Sequence, residues 1–506
     1  MYKRHKVTFL TGTMGFVLLV SACTSGQTGN SPAVTTDKAP TPISVFVNQT
    51  GTTTVDPTNS LLQEIEKKTN TKLSITWVPQ NTFSEKVKIT LASGDMSDLT
   101  LVTSIFDPQV VQLAGDGAFW DLSPYIDSYP NFKALPKDIW ENAKIKGKSY
   151  GIPRPRPLEG SWGLQLRKDW LDKLGLKVPE TMDDVYAVAK AFTEKDPDGN
   201  GKADTYGLTA NVDVNGMGTL SWVENTFNGV ASNWKMKDGQ LVPVIFEPSE
   251  KQALEWLKRV YEEKILTPDW AALKNTQARE QYMGNKAGII GTALNPQWLF
   301  MDAIRKLVPQ GDSYPITYLI GPEGKFAGRD AGNYGMFVIP KTVPEAKMKN
   351  ILELMNQGYG EEISNLAAFG LPEVHYTVKD GFKVATEQAT KDNLADVTNN
   401  LPNIFSGYDK YQRAYFAGIP KEYYDRNKKL IDERSTFSKP DPAYGLLSKT
   451  ALTLGPDIDK KIQDMKVKVI LGKESLAAWD DFVAKLKSDN DYRKIVQEMN
   501  EAYKNK

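Results

Sequence analysis

The segment from Ile43 to Val102 constrains the fold more than any other part of the chain. Ile43 to Asn48 is apolar and β-rich, and it runs into the polar cluster Asn48-Gln49-Thr50. Asp56-Pro57 reads as a helix start, with Leu61, Leu62 and Ile65 on one face of the turns that follow. From Lys72 to Pro79, Leu73, Ile75 and Trp77 alternate with Ser74 and Thr76, the period-two signature of a strand. Phe83, Val87 and Leu91 recur every fourth residue, and Leu99 to Val102 is a buried strand leading into Thr103-Ser104. Strand, helix, strand, helix, strand predicts an α/β fold with a largely parallel sheet. Ligands of such sheets sit beyond the carboxyl ends of the strands, so Asn48, Gln49, Thr50, Thr103, Ser104 and Asp107 are candidate ligand positions. Turn capping is the alternative use of the same residues.

A second unit opens after Pro153. The run Pro153-Arg154-Pro155-Arg156-Pro157 is stiff, non-helical and poor in N–H donors, as expected of a crossover between domains. Trp162 to Leu166 reads as a strand, and Asp169 to Leu174 as a short helix stopped by Gly175. Thr181-Met182-Asp183-Asp184 reads as a capping box with Asp in place of Glu, opening a helix with Val185, Val188, Ala189 and Phe192 on one stripe. Asn333 to Pro340 is strand-like and bounded by Gly and Pro, suited to carrying the chain back to the first lobe. Helical patterns fill most of the remainder. A length of 506 residues gives two to four domains at about 100–200 residues each.

Composition excludes several functions. With only His5, His375 and Cys23, a histidine metal cluster, a CxxC zinc site and a disulfide framework are impossible. Sixty-two basic residues against 62 acidic ones supply no global field for nucleic acid. No GxSxG elbow, GxxxxGK[ST] phosphate loop or HExxH occurs. Adjacent carboxylates such as Asp183-Asp184 and Glu361-Glu362 are what 62 acidic residues produce on solvated helix faces.

The N-terminus accounts for the lone cysteine. Lys3, Arg4 and Lys6 precede an apolar run from Val7 to Val20, too short for the ~20 residues of a membrane span. Val20-Ser21-Ala22-Cys23 resembles the lipobox of bacterial lipoproteins. Residues 1–22 are thus expected to be a signal peptide and Cys23 the lipidated first residue of the mature chain. Residues 23–42 are then a flexible tether, because Thr24 to Pro42 has no aromatic, Leu or Ile to bury. Removing Lys3, Arg4 and Lys6 leaves 59 basic residues against 62, a charge of −3. The expected location is extracytoplasmic, anchored to the cell membrane through the lipid only.

The sharpest local signal is the stretch Asp196-Pro-Asp198-Gly-Asn200-Gly201-Lys202-Ala-Asp204. Oxygen side chains at positions one, three, five and nine, with Gly at six, match the front of a calcium loop, with the Lys202 carbonyl as a further ligand. The Glu of position twelve is absent, since Gly207 stands there. Structural Ca²⁺ is the implied cofactor; a solvated acidic turn is the alternative.

With 11 Trp and 21 Tyr, the chain has rings on which the apolar faces of sugars stack. Trp162, Trp222, Trp298 and Tyr334 lie near predicted strand ends or in polar loops, with Asn225 beside Trp222; core packing competes with stacking at each. Trp170, Trp256 and Trp479 fall on helical apolar stripes and are read as core.

These segments resemble extracellular solute-binding proteins of family 1, the lipid-anchored carbohydrate receptors of bacterial ABC importers, in the large Bacillus and Paenibacillus type. The likeness rests on Leu91 to Asp98 (LASGDMSD), Gly147 to Pro153 (GKSYGIP) and Arg167 to Pro179 (RKDWLDKLGLKVP). It rests also on the Asp196 to Gly207 stretch, Asn285 to Gly288 (NKAG) and Gly370 to Tyr376 (GLPEVHY). The resemblance implies a two-lobed, periplasmic-binding-protein-like (type II) fold with interleaved lobes and a hinge. Lobe 1 comprises residues 43–153 and 333–400; lobe 2 comprises 154–332, with the calcium-like loop at 196–207, and 401–506. It implies a monomer that closes on an oligosaccharide and docks on two permease subunits served by a cytoplasmic ATPase, with no nucleic acid and no catalysis. Asn48, Gln49, Thr50, Thr103, Ser104 and Asp107 would then face the cleft. Arg154 and Arg156 would sit at the crossover, either gripping an acidic sugar bidentately or forming interlobe salt bridges. A cell-anchored carbohydrate-active enzyme and a peptide-binding or adhesive lipoprotein are the rival readings.

Overall fold

The computed structural model describes residues 39–50, 53–160, 163–415 and 419–505. The expected signal peptide, Cys23 and nearly all of the expected tether lie outside the described residues, as does Trp162. The tether's end is two residues shorter than expected, because β1 (Thr41–Gln49) already begins at Thr41. Thr41 pairs with Thr71 and its N–H donates to the Asn70 carbonyl (3.1 Å), so the strand recruits the two polar residues before Ile43.

Helix α1 (Ser60–Thr69) is capped by Asn59, whose side chain accepts from the N–H groups of Leu61 and Leu62, and it buries Leu61, Leu62 and Ile65. Strand β2 (Thr71–Pro79) and strand β3 (Leu99–Val102) flank β1, both parallel to it, with α2 (Gln80–Ser93) between them in sequence. In β1, Val45, Phe46 and Val47 are buried in succession, as a central parallel strand covered on both faces requires. Helix α3 (Pro108–Gly115) follows β3, and β4 (Gly151–Pro155) leads into the Pro-Arg-Pro crossover.

The second sheet is built from β5 (Leu164–Arg167), β6 (Tyr206–Thr209), β7 (Ala287–Gly291) and β8 (Ser313–Pro315), in the order β8-β5-β7-β6. Its helices include α4 (Met182–Glu194), α5 (Ser221–Asn228), α6 (Pro248–Glu262) and α7 (Gln297–Leu307). The capping box of α4 forms as expected: the Thr181 side chain accepts from the Asp184 N–H (3.1 Å) and Asp184 accepts from the Thr181 N–H (3.0 Å). Trp170, Trp256 and Trp479 are all buried, and Trp170 meets Phe192 edge-on at 5.4 Å.

The chain then returns to the first sheet as β9 (Asn333–Val338), inserted between β3 and β4 and antiparallel to both. The first sheet, ordered β2-β1-β3-β9-β4, is therefore mixed rather than largely parallel. The reversal follows from the route: β9 enters from the other lobe and runs against β3, pairing Met336 with Val102. After β9 the first core still gains Ile351, Leu401, Ile404 and Phe405. The first core thus extends through Phe405. Helices α8 (Lys421–Arg434), α9 (Lys449–Ile470) and α10 (Asn490–Lys504) complete the second lobe, and Val469, Ile470 and Trp479 join its core. No helix among the described residues is long and apolar enough to cross a membrane.

Candidate functional site

A cavity of about 1110 Å³ has walls from both lobes. Phe106 reaches it from the loop between β3 and α3, Pro108 from the first turn of α3, Arg156 from just beyond β4, and Asn333 and Tyr334 from the start of β9. Trp222, Glu224 and Asn225 reach it from α5. The antiparallel insertion of β9 is what assembles the lobe 1 side, since it brings the first residues of β9 beside the carboxyl end of β3. Gly335 makes the approach possible. It has φ +78°, and a Cβ there would sit on the Val102 carbonyl oxygen.

Tyr334 is the centre of the charged end. Its ring lies 5.0 Å from the Arg154 guanidinium and 5.5 Å from that of Arg156, within cation–π range. Its hydroxyl accepts from Gln80 Nε2 (2.8 Å), and Gln80 Oε1 in turn accepts from Asn48 Nδ2 (2.7 Å). Arg154 donates through Nη2 to Asn403 Oδ1 (2.6 Å), while its Nε and Nη1 meet no acceptor among the described residues. Burial, and then the neighbouring Arg156, hold Arg154 well below the usual guanidinium range. Arg156 Nη1 donates only to a neutral amide, Gln412 Oε1 (3.3 Å). Burial, with Arg413 adjacent, lowers it to about 10. Arg413 is paired with Asp330 at 3.3 Å. These guanidiniums are desolvated without a full complement of carboxylates.

The opposite end has the reverse balance. Lys466 on α9 lies between Glu224 (2.8 Å) and Glu250, and Glu250 also accepts from Asn228 Nδ2 (2.6 Å). Burial pushes the Glu224 carboxyl up to about 7, with Lys466 opposing and Glu250 adding to the rise. Burial likewise raises Asp459.

Of the residues named from sequence, Arg156, Trp222, Asn225 and Tyr334 line this cavity. Trp222 is largely buried and packs edge-on to Trp256 at 5.7 Å, so it serves the core as well as the wall. Asn48 and Thr50 pack against the residues after 393: Asn403 Nδ2 donates to the Asn48 carbonyl (2.8 Å) and Asn400 Oδ1 accepts from the Thr50 N–H (2.8 Å). Neither they nor Gln49 line the cavity; Asn48 acts on it through Gln80. Asp107 caps α3, accepting from the Gln109 N–H (3.0 Å). With Thr103 and Ser104 it lines a separate recess of about 20 Å³. Its neighbours Phe106 and Pro108 are the ones in the cavity wall, because the cap turns Asp107 onto the helix. Arg154 is one layer behind the wall.

Trp222 and Trp298 are on helices rather than in loops. Trp298 on α7 packs against Tyr423 (5.9 Å) and Arg305 (5.7 Å), away from the cavity. Sequence reasoning missed Asn333, Arg413 and Tyr444, whose only link is tertiary: the Tyr444 ring meets Phe106 edge-on at 5.5 Å and its hydroxyl donates to Asn333 Oδ1 (3.4 Å).

Several segments that carried the resemblance form one cluster elsewhere. Arg167, fully buried, donates through Nε and Nη2 to Asp169 (2.9 and 2.6 Å) and through Nη1 to Asn285 Oδ1 (2.6 Å). Asn285 Nδ2 then donates to Asp198 Oδ2 (3.3 Å), tying the NKAG segment to the calcium-like loop. That loop joins α4 to β6. Asn200 Nδ2 donates to Asp198 (2.8 Å) and Asp204 (3.1 Å), and Asp196 accepts from the N–H groups of Gly199 and Gly201 (both 3.0 Å). Burial, and then the hydrogen bond with Asp196, push Asp198 up. The carboxylates of Asp196, Asp198 and Asp204 are oxygen donors of the kind that suits a hard cation, while Asn200 turns its Nδ2 toward them and its Oδ1 accepts from the Lys202 N–H (2.8 Å). Among the described residues no acidic, His or Cys side chains are arranged as a preformed metal cage. Gly207 replaces the expected Glu for a steric reason: a Cβ there would run into the Ala189 carbonyl of α4.

A family model described as bacterial extracellular solute-binding protein matches residues 51–356. The chain is 32% identical over 456 residues to the polygalacturonan/rhamnogalacturonan-binding protein YtcQ of Bacillus subtilis (strain 168), spanning 88% of this chain and 89% of that one. It is 28% identical over 498 residues to lipoprotein LipO of the same organism, spanning 96% of each. In fold it is similar to the HMO-binding, ABC-transporter-associated solute-binding protein of Bifidobacterium longum infantis ATCC 15697 (TM-score 0.73, 21% identity, 92% and 99% coverage). It is also similar to an EF-hand mutant of the Streptococcus pneumoniae ABC-transporter substrate-binding protein FusA in complex with fructo-nystose (TM-score 0.66, 19% identity, 92% and 99% coverage).

Proposed function

The chain belongs to the bacterial extracellular solute-binding protein family, and on that premise we propose that it is the receptor of an ABC importer that captures an acidic oligosaccharide between its lobes. The observation that carries the acidic preference is Arg156, half-buried in the cavity wall, whose guanidinium has only the Gln412 amide as hydrogen-bond acceptor among the described residues, with Arg413 at its side. A carboxylate on the ligand supplies the missing countercharge bidentately. Tyr334 and Trp222 supply ring faces and edges for the sugar, and Asn225 and Asn333 supply hydrogen bonds. Lobe 1 in this reading is 41–153 with 333–405, and lobe 2 is the rest of the body.

The receptor works as a monomer outside the cell membrane, held through a lipid on Cys23 after removal of residues 1–22. It delivers the sugar to two permease subunits driven by a cytoplasmic ATPase. The Asp196–Asp204 loop binds Ca²⁺ and fastens α4 to β6. The likeness to a lipoprotein and to an EF-hand relative supports these two assignments.

The test is a thermal-shift screen of oligosaccharides with analysis of the products. A shift without turnover supports the receptor. Turnover means a cell-anchored carbohydrate-active enzyme, and no shift with any sugar means a peptide-binding or adhesive lipoprotein. Within that screen, Tyr334→Ala is expected to weaken a binding oligosaccharide by about 1–3 kcal/mol, the range of a lost stacking contact. Trp298→Ala is expected to leave affinity unchanged, and titration calorimetry on both variants checks the contrast.

Calcium added to chelator-treated protein at about 100 times its dissociation constant should stabilise the fold by about 2.7 kcal/mol. Asp198→Asn should abolish the effect. No heat of binding and no change in melting temperature would remove calcium from the reading.

A further inference from the structure

The two ends of the cavity differ in chemistry. Away from Arg156 it continues between the 3₁₀ turn Val244–Phe246, α9 and α10. The α9 wall there presents three aliphatic side chains, Leu452, Ile458 and Ile462, each half-buried and lining this space, beside Asp459, Gln463 and Lys466. Ile245 and Met499 close the far side. A sugar hydroxyl placed against these three aliphatic side chains would lose its bonds to water, whereas an apolar group would be transferred out of water at a gain. The helix itself is interrupted here. Pro456 has no N–H to donate to the Leu452 carbonyl, which loosens the α9 backbone on the side of the chamber.

Charge points the same way. The carboxylates bordering this end are Glu224, Glu250 and Asp459, and the one cation among them is Lys466, already held by both glutamates. A ligand carboxylate is repelled here and welcomed at the arginine end. A neutral substituent is accepted.

We propose that the chamber between α9 and α10 receives a neutral apolar substituent, an alkyl or aryl ester group, carried by the acidic oligosaccharide, so that the receptor selects partially esterified chains over fully ionised ones. This rests on the oligosaccharide reading above, and it adds a second specificity element at the opposite end of the same cavity.

The test uses titration calorimetry on the full mature chain with two probes, short free oligogalacturonides and the same oligomers partially methyl-esterified. The esterified series should bind at least about tenfold more tightly, the scale on which an apolar pocket discriminates one methyl-sized group. Ile458→Asn should abolish that preference while leaving affinity for the free series unchanged, and Ile462→Asn should repeat the result if the first variant folds poorly. Equal affinity of the wild-type chain for both series overturns the chamber's role and leaves the receptor reading standing. Binding of the free series alone overturns it as well. Failure of both series to bind overturns the acidic-oligosaccharide reading and this inference with it.

Discussion

Replacing Lys466 by methionine should destabilise the protein by about 3–5 kcal/mol at pH 8, the usual cost of removing one partner from a buried ion pair. Lys466 is the cation shared by Glu224 and Glu250, and its side chain is 11% exposed against 16% and 2% for the two glutamates. Methionine fills a similar volume, so the loss is electrostatic rather than a cavity effect. The pH profile identifies the cause. The folded-state value of Glu224, about 7, lies above its ordinary 4.5. Such a carboxyl contributes stability that is fully present below about pH 4.5 and is lost as the pH rises through 7. In the Lys466→Met protein the carboxyl loses the ammonium that opposes this rise. The deficit measured by denaturant unfolding should therefore be largest at pH 8 and shrink toward pH 5. A deficit independent of pH would mean that Lys466 acts by packing its stem alone.

The second large effect concerns binding. Arg156→Met should weaken an acidic oligosaccharide by about 2–5 kcal/mol, as expected when one member of a desolvated, hydrogen-bonded charge pair is truncated. The same substitution should not destabilise the ligand-free protein. Burial and the adjacent Arg413 already disfavour the charged guanidinium, lowering it to about 10, and a neutral side chain of similar length removes that penalty. Loss of affinity with an unchanged or higher melting temperature separates a ligand-binding arginine from an interlobe salt bridge. A salt-bridge residue would lose stability and leave affinity for neutral sugars and acidic sugars altered alike. Calorimetry with an acidic and a neutral oligosaccharide, alongside a melting curve, makes the distinction.

Much of this architecture is legible in the sequence because it depends on near neighbours. The Thr181–Asp184 capping box spans one helical turn and forms as expected. Ile43 to Val102 yields its three parallel strands because the alternation and the four-residue period are local patterns. The helical tryptophans Trp170, Trp256 and Trp479 are buried, as their stripes require. Site residues were legible only in part. Asp107 was placed one residue from the cavity wall, since side chains of adjacent loop residues point apart and a helix cap claimed it. Trp298 looked like a loop aromatic, but Pro296 precedes a helix that carries it onto Tyr423.

By itself the sequence determined the α/β character, the crossover at Pro153 to Pro157, the oxygen-rich loop at Asp196 and the exclusion of a histidine metal cluster or a disulfide framework. Only the tertiary structure decided that β9 enters antiparallel and brings Tyr334 between two arginines, and that Lys466 reaches Glu224 across 242 residues. Local preferences are set by backbone sterics and by the period of the apolar residues, which a short window contains. The balance of buried charge is set by which distant segments share a low-dielectric space, and that follows from the path the chain takes between the lobes.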